Sequence, residues 1–104
     1  MQKCSSITDC ELSRIRPSTA GVSASCPMLN LIKQISLSEC LDMACEVGGN
    51  VVNFYLDGGG VCPGVNSCIG PGQCWIMRCE SLSNIRWTTD WFGADVFILI
   101  DKGR

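Results

Sequence analysis

SLSECLDMACEVGG, residues 36–49, decides the fold, because it contains both the start and the stop signals of a short helix. Ser36 and Glu39 have the spacing of a capping box, in which each side chain accepts the backbone N–H of the other residue. Gly48 and Gly49 end the helix, because glycine adopts the left-handed conformation at a helix C-terminus without steric cost. A helix of about ten residues is marginal alone in water, so it needs support from outside.

Cysteine supplies that support, since nine cysteines occur in 104 residues. At this density a disulfide scaffold is the leading interpretation, and it requires an oxidising compartment. Two of the cysteines lie within the helix, where bonds to neighbouring segments would hold it. The sequence leaves the pairing open. The candidate disulfide residues are Cys4, Cys10, Cys26, Cys40, Cys45, Cys62, Cys68, Cys74 and Cys79.

The odd number of cysteines allows at most four bonds within the chain and leaves one cysteine over. Two explanations stay open. The chain is a fragment whose partner cysteine lies elsewhere in a longer protein, or the ninth cysteine forms an interchain disulfide.

The segments after the helix predict strands. Residues 50–56 are rich in β-branched and aromatic residues. Residues 74–79 alternate, which places Trp75 and Met77 on one face. Residues 84–92 predict a strand or an exposed loop, and residues 94–100 predict a closing buried strand. Residues 57–73 are rich in glycine and predict a long loop that Cys62 and Cys68 pinch.

Residues 1–35 are polar and rich in serine, and their apolar residues do not recur at a regular spacing. This segment predicts loops, with room for one short strand. The pattern as a whole predicts one disulfide-rich α+β domain over residues 1–104. In this domain a short helix packs on a small antiparallel sheet and is linked to it by disulfides. Residues 1–35 would be its loop-rich part and residues 36–104 its helix-plus-sheet part.

Three segments together resemble a known family. They are ECLDMAC at 39–45, VVNFYL at 51–56 and CWIMRC at 74–79. The combination is similar to the MANSC (or MANEC) domain of the wider PAN/Apple-like group, over roughly residues 29–100. The chain departs from that family at Ala44-Cys45, where the family usually has adjacent cysteines, and at Gly49-Asn50, where it usually has a cysteine.

The resemblance implies a PAN/Apple-like fold and a place in an extracellular or membrane-anchored protein. It also implies that Cys40 and Cys45 form bonds to the sheet, with Cys74 and Cys79 among the candidate partners.

Several kinds of chemistry are disfavoured by composition. The chain has no histidine, which removes the commonest general base and histidine-ligated metals. No Cys-X-X-Cys motif occurs, so a zinc site and redox catalysis are minor alternatives. A net charge of −2 without a basic cluster argues against nucleic acid. We therefore expect no enzyme activity, no catalytic or metal-ligating residue and no cofactor.

Recognition is expected in loops on a rigid scaffold. The glycine-rich loop contributes Asp57 and Asn66, and the aromatic segment contributes Trp87, Trp91 and Phe92, of which at least one ring is expected in the core.

The predicted function is an extracellular or cell-surface interaction or structural module that forms part of a larger secreted or membrane-anchored protein or assembly, as the resemblance implies. Its expected partner is a protein or a glycan, with no membrane insertion by this chain. The alternatives are a small zinc-binding domain and a free-standing secreted inhibitor or effector.

Overall fold

A computed structural model describes residues 10–57, 71–89 and 93–101, except for the side chains of Glu11 and Asp101. Within these ranges the chain forms one α-helix, seven strands and two short 3-10 turns. The elements in chain order are β1 (Cys10–Arg16), a turn (Ser18–Ala20), β2 (Val22–Ser25), β3 (Met28–Ile35), α1 (Leu37–Val47), β4 (Val51–Leu56), β5 (Gly72–Met77), a turn (Leu82–Asn84), β6 (Arg86–Thr89) and β7 (Asp95–Asp101).

The strands form two antiparallel sheets. The large sheet has the order β1-β7-β4-β5-β3, with β4 at its centre and β1 and β3 at its edges. The small sheet consists of β2 and β6. The predicted α+β class, with one short helix on an antiparallel sheet and disulfide links between them, is confirmed.

Helix α1 forms as the sequence predicts. The Ser36 Oγ accepts the Glu39 N–H at 3.2 Å, and the Glu39 carboxylate accepts the Ser36 N–H at 3.3 Å. At the other end Gly48 has a φ of 84°, in the left-handed region, and the Gly49 N–H donates to the Ala44 carbonyl at 2.8 Å. The capping box and the glycine stop therefore set both ends of the helix.

The helix covers one face of the large sheet. Its buried side chains, among them Leu37, Leu41 and Ala44, pack against Phe54 of β4 and Phe97 of β7. Alternation along the strands places Val51, Asn53 and Tyr55 on the opposite face, where the small sheet lies. The large sheet is thus the middle layer between α1 and the small sheet.

Three disulfides join these layers. Cys40 of α1 bonds to Cys74 of β5, and Cys45 near the end of α1 bonds to Cys10 at the start of β1. The third bond joins Cys26, after β2, to Cys79, after β5. Disulfide bonding is therefore confirmed for these six residues. Cys40 and Cys45 both bond to the large sheet, but the partner of Cys79 is Cys26 and not a cysteine of the helix.

Two asparagines hold the small-sheet side together. The buried Asn53 side chain donates to the Ala24 carbonyl at 2.8 Å and accepts the Ala24 N–H at 3.1 Å. Asn50 makes the same pair of bonds to the backbone of Cys79, both at 2.8 Å. Each side-chain amide pairs with the backbone as a neighbouring strand would, because its N–H donor and C=O acceptor match those of a peptide group. Both lie next to the bond between Cys26 and Cys79.

The first part of the chain differs from the sequence-based expectation. Residues 10–35 contain three strands where the pattern favoured loops. The reason is that β1 and β3 are edge strands with irregular register and β2 has four residues, so none of them shows a sustained alternation. The predicted strands at 50–56, 74–79 and 94–100 are confirmed as β4, β5 and β7.

The capping box predicts a measurable loss on Ser36→Ala. The free energy of unfolding should fall by about 1 kcal/mol, because the Glu39 N–H loses its acceptor. Ser38→Ala is the matched control, since Ser38 lies within the helix and alanine has the higher helix propensity there. Urea unfolding of both variants measures the difference, and equal effects would show that the cap does not stabilise α1.

Asn53→Ala tests the contact between the sheets. We expect a loss of about 2–3 kcal/mol in the free energy of unfolding, because the buried N–H and C=O of Ala24 both lose their partner. Asn84→Ala, at an exposed position, should change stability by less than about 0.5 kcal/mol. If the two variants unfold at the same urea concentration, the amide contact is not what holds the small sheet.

Candidate functional site

Among the described residues, the small sheet packs on the β4 and β7 part of one face of the large sheet and leaves the part formed by β3 uncovered. Leu31 of β3 lies directly opposite Trp75 of β5, and Met28 lies opposite Met77. Tyr55 of β4 reaches the same area, with its ring centroid 5.8 Å from that of Trp75. Leu29 precedes Leu31 by two residues and by strand alternation shares its face. We call Met28, Leu29, Leu31, Tyr55 and Trp75 the apolar patch.

The aliphatic members of the patch are well exposed. Met28, Leu29 and Leu31 expose 45%, 46% and 40% of their surface. Tyr55 and Trp75 are half-buried, and the Trp75 Nε1–H donates to the Gln73 Oε1 at 3.1 Å. Single exposed apolar residues are ordinary, but three on one strand beside two aromatic rings form a contiguous surface of the kind that marks interaction sites.

The patch itself contains no charged residue. Residues 27–32, 50–56 and 71–77 contain no Asp, Glu, Lys or Arg. At one end exposed Lys33 lies within β3, two residues after Leu31, and exposed Asp57 follows β4. At the other end the Arg78 side chain donates to the Gly48 carbonyl at the end of α1. A partner that covers the patch therefore has to be largely apolar at its centre.

The backbone edge of β3 is poorly suited to pairing with a further strand, whereas its side chains are exposed. The pairing with β5 shifts register between Met28 and Asn30 and again between Ile32 and Ile35. The Leu31 N–H donates to the Asn30 Oδ1 at 2.9 Å, so that group is already satisfied. Bulges and a lysine are the usual devices that prevent another strand from adding to an edge. Side-chain packing on the sheet face is therefore the favoured mode of contact.

The residues predicted from the sequence are placed elsewhere. Trp87 lies on β6, exposes 38% of its surface and has the Arg16 guanidinium 4.8 Å from its ring centroid. This cation–π contact fixes the small sheet to the end of β1, so one side of the ring has a structural role. Asp57 is an exposed turn residue after β4, and its N–H donates to the Pro71 carbonyl at 3.0 Å. Asn66, Trp91 and Phe92 lie outside the described residues.

The cysteines limit the metal alternative. Six of the nine cysteines form the three disulfides and have no thiolate to offer a metal. The other three, Cys4, Cys62 and Cys68, lie outside the described residues, as does the predicted pinch of the glycine-rich loop. Since three cysteines remain, a zinc site with four cysteine ligands from this chain cannot form together with these three bonds.

Asp95 is a fully buried carboxylate at the start of β7. It accepts the Ser18 N–H at 3.2 Å and forms an ion pair with Arg14, with 3.5 Å between Nη1 and Oδ1. These contacts hold the turn after β1 against the sheet. They give Asp95 a structural role, since a buried carboxylate needs partners of this kind.

Sequence reasoning missed the apolar patch. Leucine and methionine in a short run favour a core position, and only the edge location of β3 exposes them. The alternation of residues 74–79 did place Trp75 and Met77 on one face, which is confirmed by the register of β5. The available signal was the uncharged run of residues 27–32 within an otherwise polar segment.

Comparisons of the chain with protein-family models, with curated proteins and with solved structures yield no match. In the described part of the chain, no helix has the length and hydropathy that a bilayer span requires.

The patch should contribute little to folding. Leu31→Thr should change the free energy of unfolding by less than about 1 kcal/mol, because Leu31 already exposes 40% of its surface and threonine is a good strand former. The same substitution at Leu99, which is 2% exposed on β7, should cost about 2–4 kcal/mol. Chemical denaturation compares the two variants. A large loss for Leu31→Thr would mean that this leucine serves the core rather than a partner.

Proposed function

We propose that the chain is an extracellular or cell-surface module that binds another protein through the apolar patch, and that it is not an enzyme. The observation that carries this proposal is the patch itself, an exposed and uncharged sheet face on a scaffold held by three disulfides.

The disulfides support the extracellular location. Such bonds persist in oxidising compartments and are rare in the cytosol, where thiols are kept reduced. Small secreted domains use them because a core of this size stabilises the chain only modestly. The domain described above, with two bonds from α1 and one from the small-sheet side, fits that class.

Membership of the MANSC or PAN/Apple-like group is part of the proposal. The two bonds from Cys40 and Cys45 of α1 to the large sheet support it, because the resemblance implies bonds from a helix to a sheet. The partner of Cys45 is in β1, outside the segments that carry the resemblance.

A protein is favoured over a glycan as the partner. Saccharides present many hydroxyl groups, which need polar side chains, whereas Met28, Leu29 and Leu31 offer only apolar contact. Tyr and Trp are enriched among the residues that dominate protein interfaces. The ring pair of Tyr55 and Trp75, with the Gln73 amide beside it, is the one feature that favours a glycan.

Site-specific photocrosslinking tests the proposal. A photoreactive amino acid replaces Leu29 in the patch, and the control places it at Val47, which is 45% exposed on α1. In cells that produce the protein, crosslinking from outside should join the Leu29 variant to a defined protein and leave the Val47 variant unlinked. Equal labelling from both positions, or binding to a glycan array that Leu31→Lys abolishes, would reject protein binding through the patch.

A further inference from the structure

We propose that the disulfide between Cys26 and Cys79 is a redox-sensitive bond, which a small thiol such as glutathione opens while the domain stays folded. Cys26 is the sulfur that the thiol attacks. This inference goes beyond binding through the apolar patch and does not depend on it. Attack on a disulfide requires access to one of its sulfur atoms, and the three bonds of the described residues differ in that access.

Burial distinguishes Cys26 from the other bonded cysteines. The other five in the described part of the chain expose 6% of their surface or less. Cys26 is half-buried, and its neighbours Ser25 and Pro27 are exposed. A thiolate therefore reaches Cys26 most readily in the folded domain. Cys40 and Cys74 are fully buried beneath α1, so their bond becomes accessible only when the helix leaves the sheet.

The position of the bond allows it to open without loss of a strand. Cys26 lies between β2 and β3, and Cys79 lies after β5, so neither residue takes part in a strand ladder. Cys74, in contrast, lies within β5, and Cys40 lies within α1. Breaking the bond between Cys26 and Cys79 therefore removes a covalent tie and leaves the pairing of both sheets in place.

Hydrogen bonds hold both cysteines in position after the bond opens. The Arg78 N–H donates to the Pro27 carbonyl at 3.0 Å, which joins the residues next to Cys79 and Cys26. The Asn50 amide pairs with the Cys79 backbone through two bonds of 2.8 Å. The two thiols therefore stay close to each other, and an oxidant such as oxidised glutathione can re-form the same bond.

The exchange takes place in two balanced steps. The glutathione thiolate attacks the Cys26 Sγ and forms a mixed disulfide, while the bond to Cys79 breaks and Cys79 leaves as a thiolate that takes up a proton. A second glutathione thiolate then attacks the glutathione sulfur of the mixed disulfide. This step releases Cys26 as a thiol and yields oxidised glutathione. The small sheet loses its covalent tie to the end of β5, and both bonds from α1 remain.

Timed reduction with glutathione tests this inference on the oxidised full chain. Samples are quenched with acid, alkylated and digested for peptide mass spectrometry. Cys26 and Cys79 should become labelled at least about tenfold faster than Cys40 and Cys74, and the mixed disulfide should be found on Cys26. Urea below the unfolding transition should speed the opening of the buried bond and leave that of the other almost unchanged, because only the buried bond has to wait for unfolding.

Two double variants form a matched pair. Cys26→Ser with Cys79→Ser should keep the far-UV circular dichroism of the unchanged chain, because α1 retains both of its bonds. Cys40→Ser with Cys74→Ser should lose much of the helical signal, because an eleven-residue helix is marginal without support.

Three results would overturn the inference. The first is reduction of all three bonds at one rate, or of the bond between Cys40 and Cys74 before the others. The second is glutathione found on Cys79 in place of Cys26. The third is an unfolded chain when Cys26 and Cys79 are both replaced by serine, since the domain would then depend on the bond that is proposed to open.

Discussion

The bond between Cys40 and Cys74 is the constraint on which the arrangement of the layers depends. Both residues are fully buried, and their Cα atoms lie 5.6 Å apart, Cys40 in the first half of α1 and Cys74 within β5. An eleven-residue helix is short for independent stability. The bond from Cys45 to Cys10 fixes the C-terminal end of the same helix to β1. In the chain-entropy account, a bond that closes a loop of this length contributes about 3–4 kcal/mol. Two bonds therefore turn a marginal helix into a fixed cover for one face of the sheet.

The opposite face is organised by smaller contacts. The bond between Cys26 and Cys79 and the amides of Asn50 and Asn53 attach the small sheet, and among the described residues every buried polar side-chain atom has a hydrogen-bond partner. This second cover reaches only part of the face. In the part of the chain that the structure describes, the small sheet has two short strands, and the remainder of the face is the apolar patch proposed for binding.

The sequence predicted the parts of the fold that rest on local signals. The helix bounds followed from Ser36, Glu39 and Gly48, and the strands β4, β5 and β7 followed from apolar or alternating runs. The pairing of the cysteines did not follow, because it depends on which strands become neighbours. The patch did not follow either, since Met28 and Leu31 have the composition of core residues and are exposed only because β3 is an edge. The contact of Trp87 with Arg16 joins residues 71 positions apart, and no local pattern indicates it.

The framework of disulfides is tested most directly by mapping them. The chain is produced through a secretory pathway, alkylated in its native state without reductant and digested for peptide mass spectrometry. We expect Cys40 and Cys74 to resist alkylation and their peptides to be joined to each other. We also expect joined peptides for Cys10 with Cys45 and for Cys26 with Cys79. An alkylated Cys40, or a bond from Cys40 to a cysteine other than Cys74, would contradict the layer arrangement and the interaction surface derived from it.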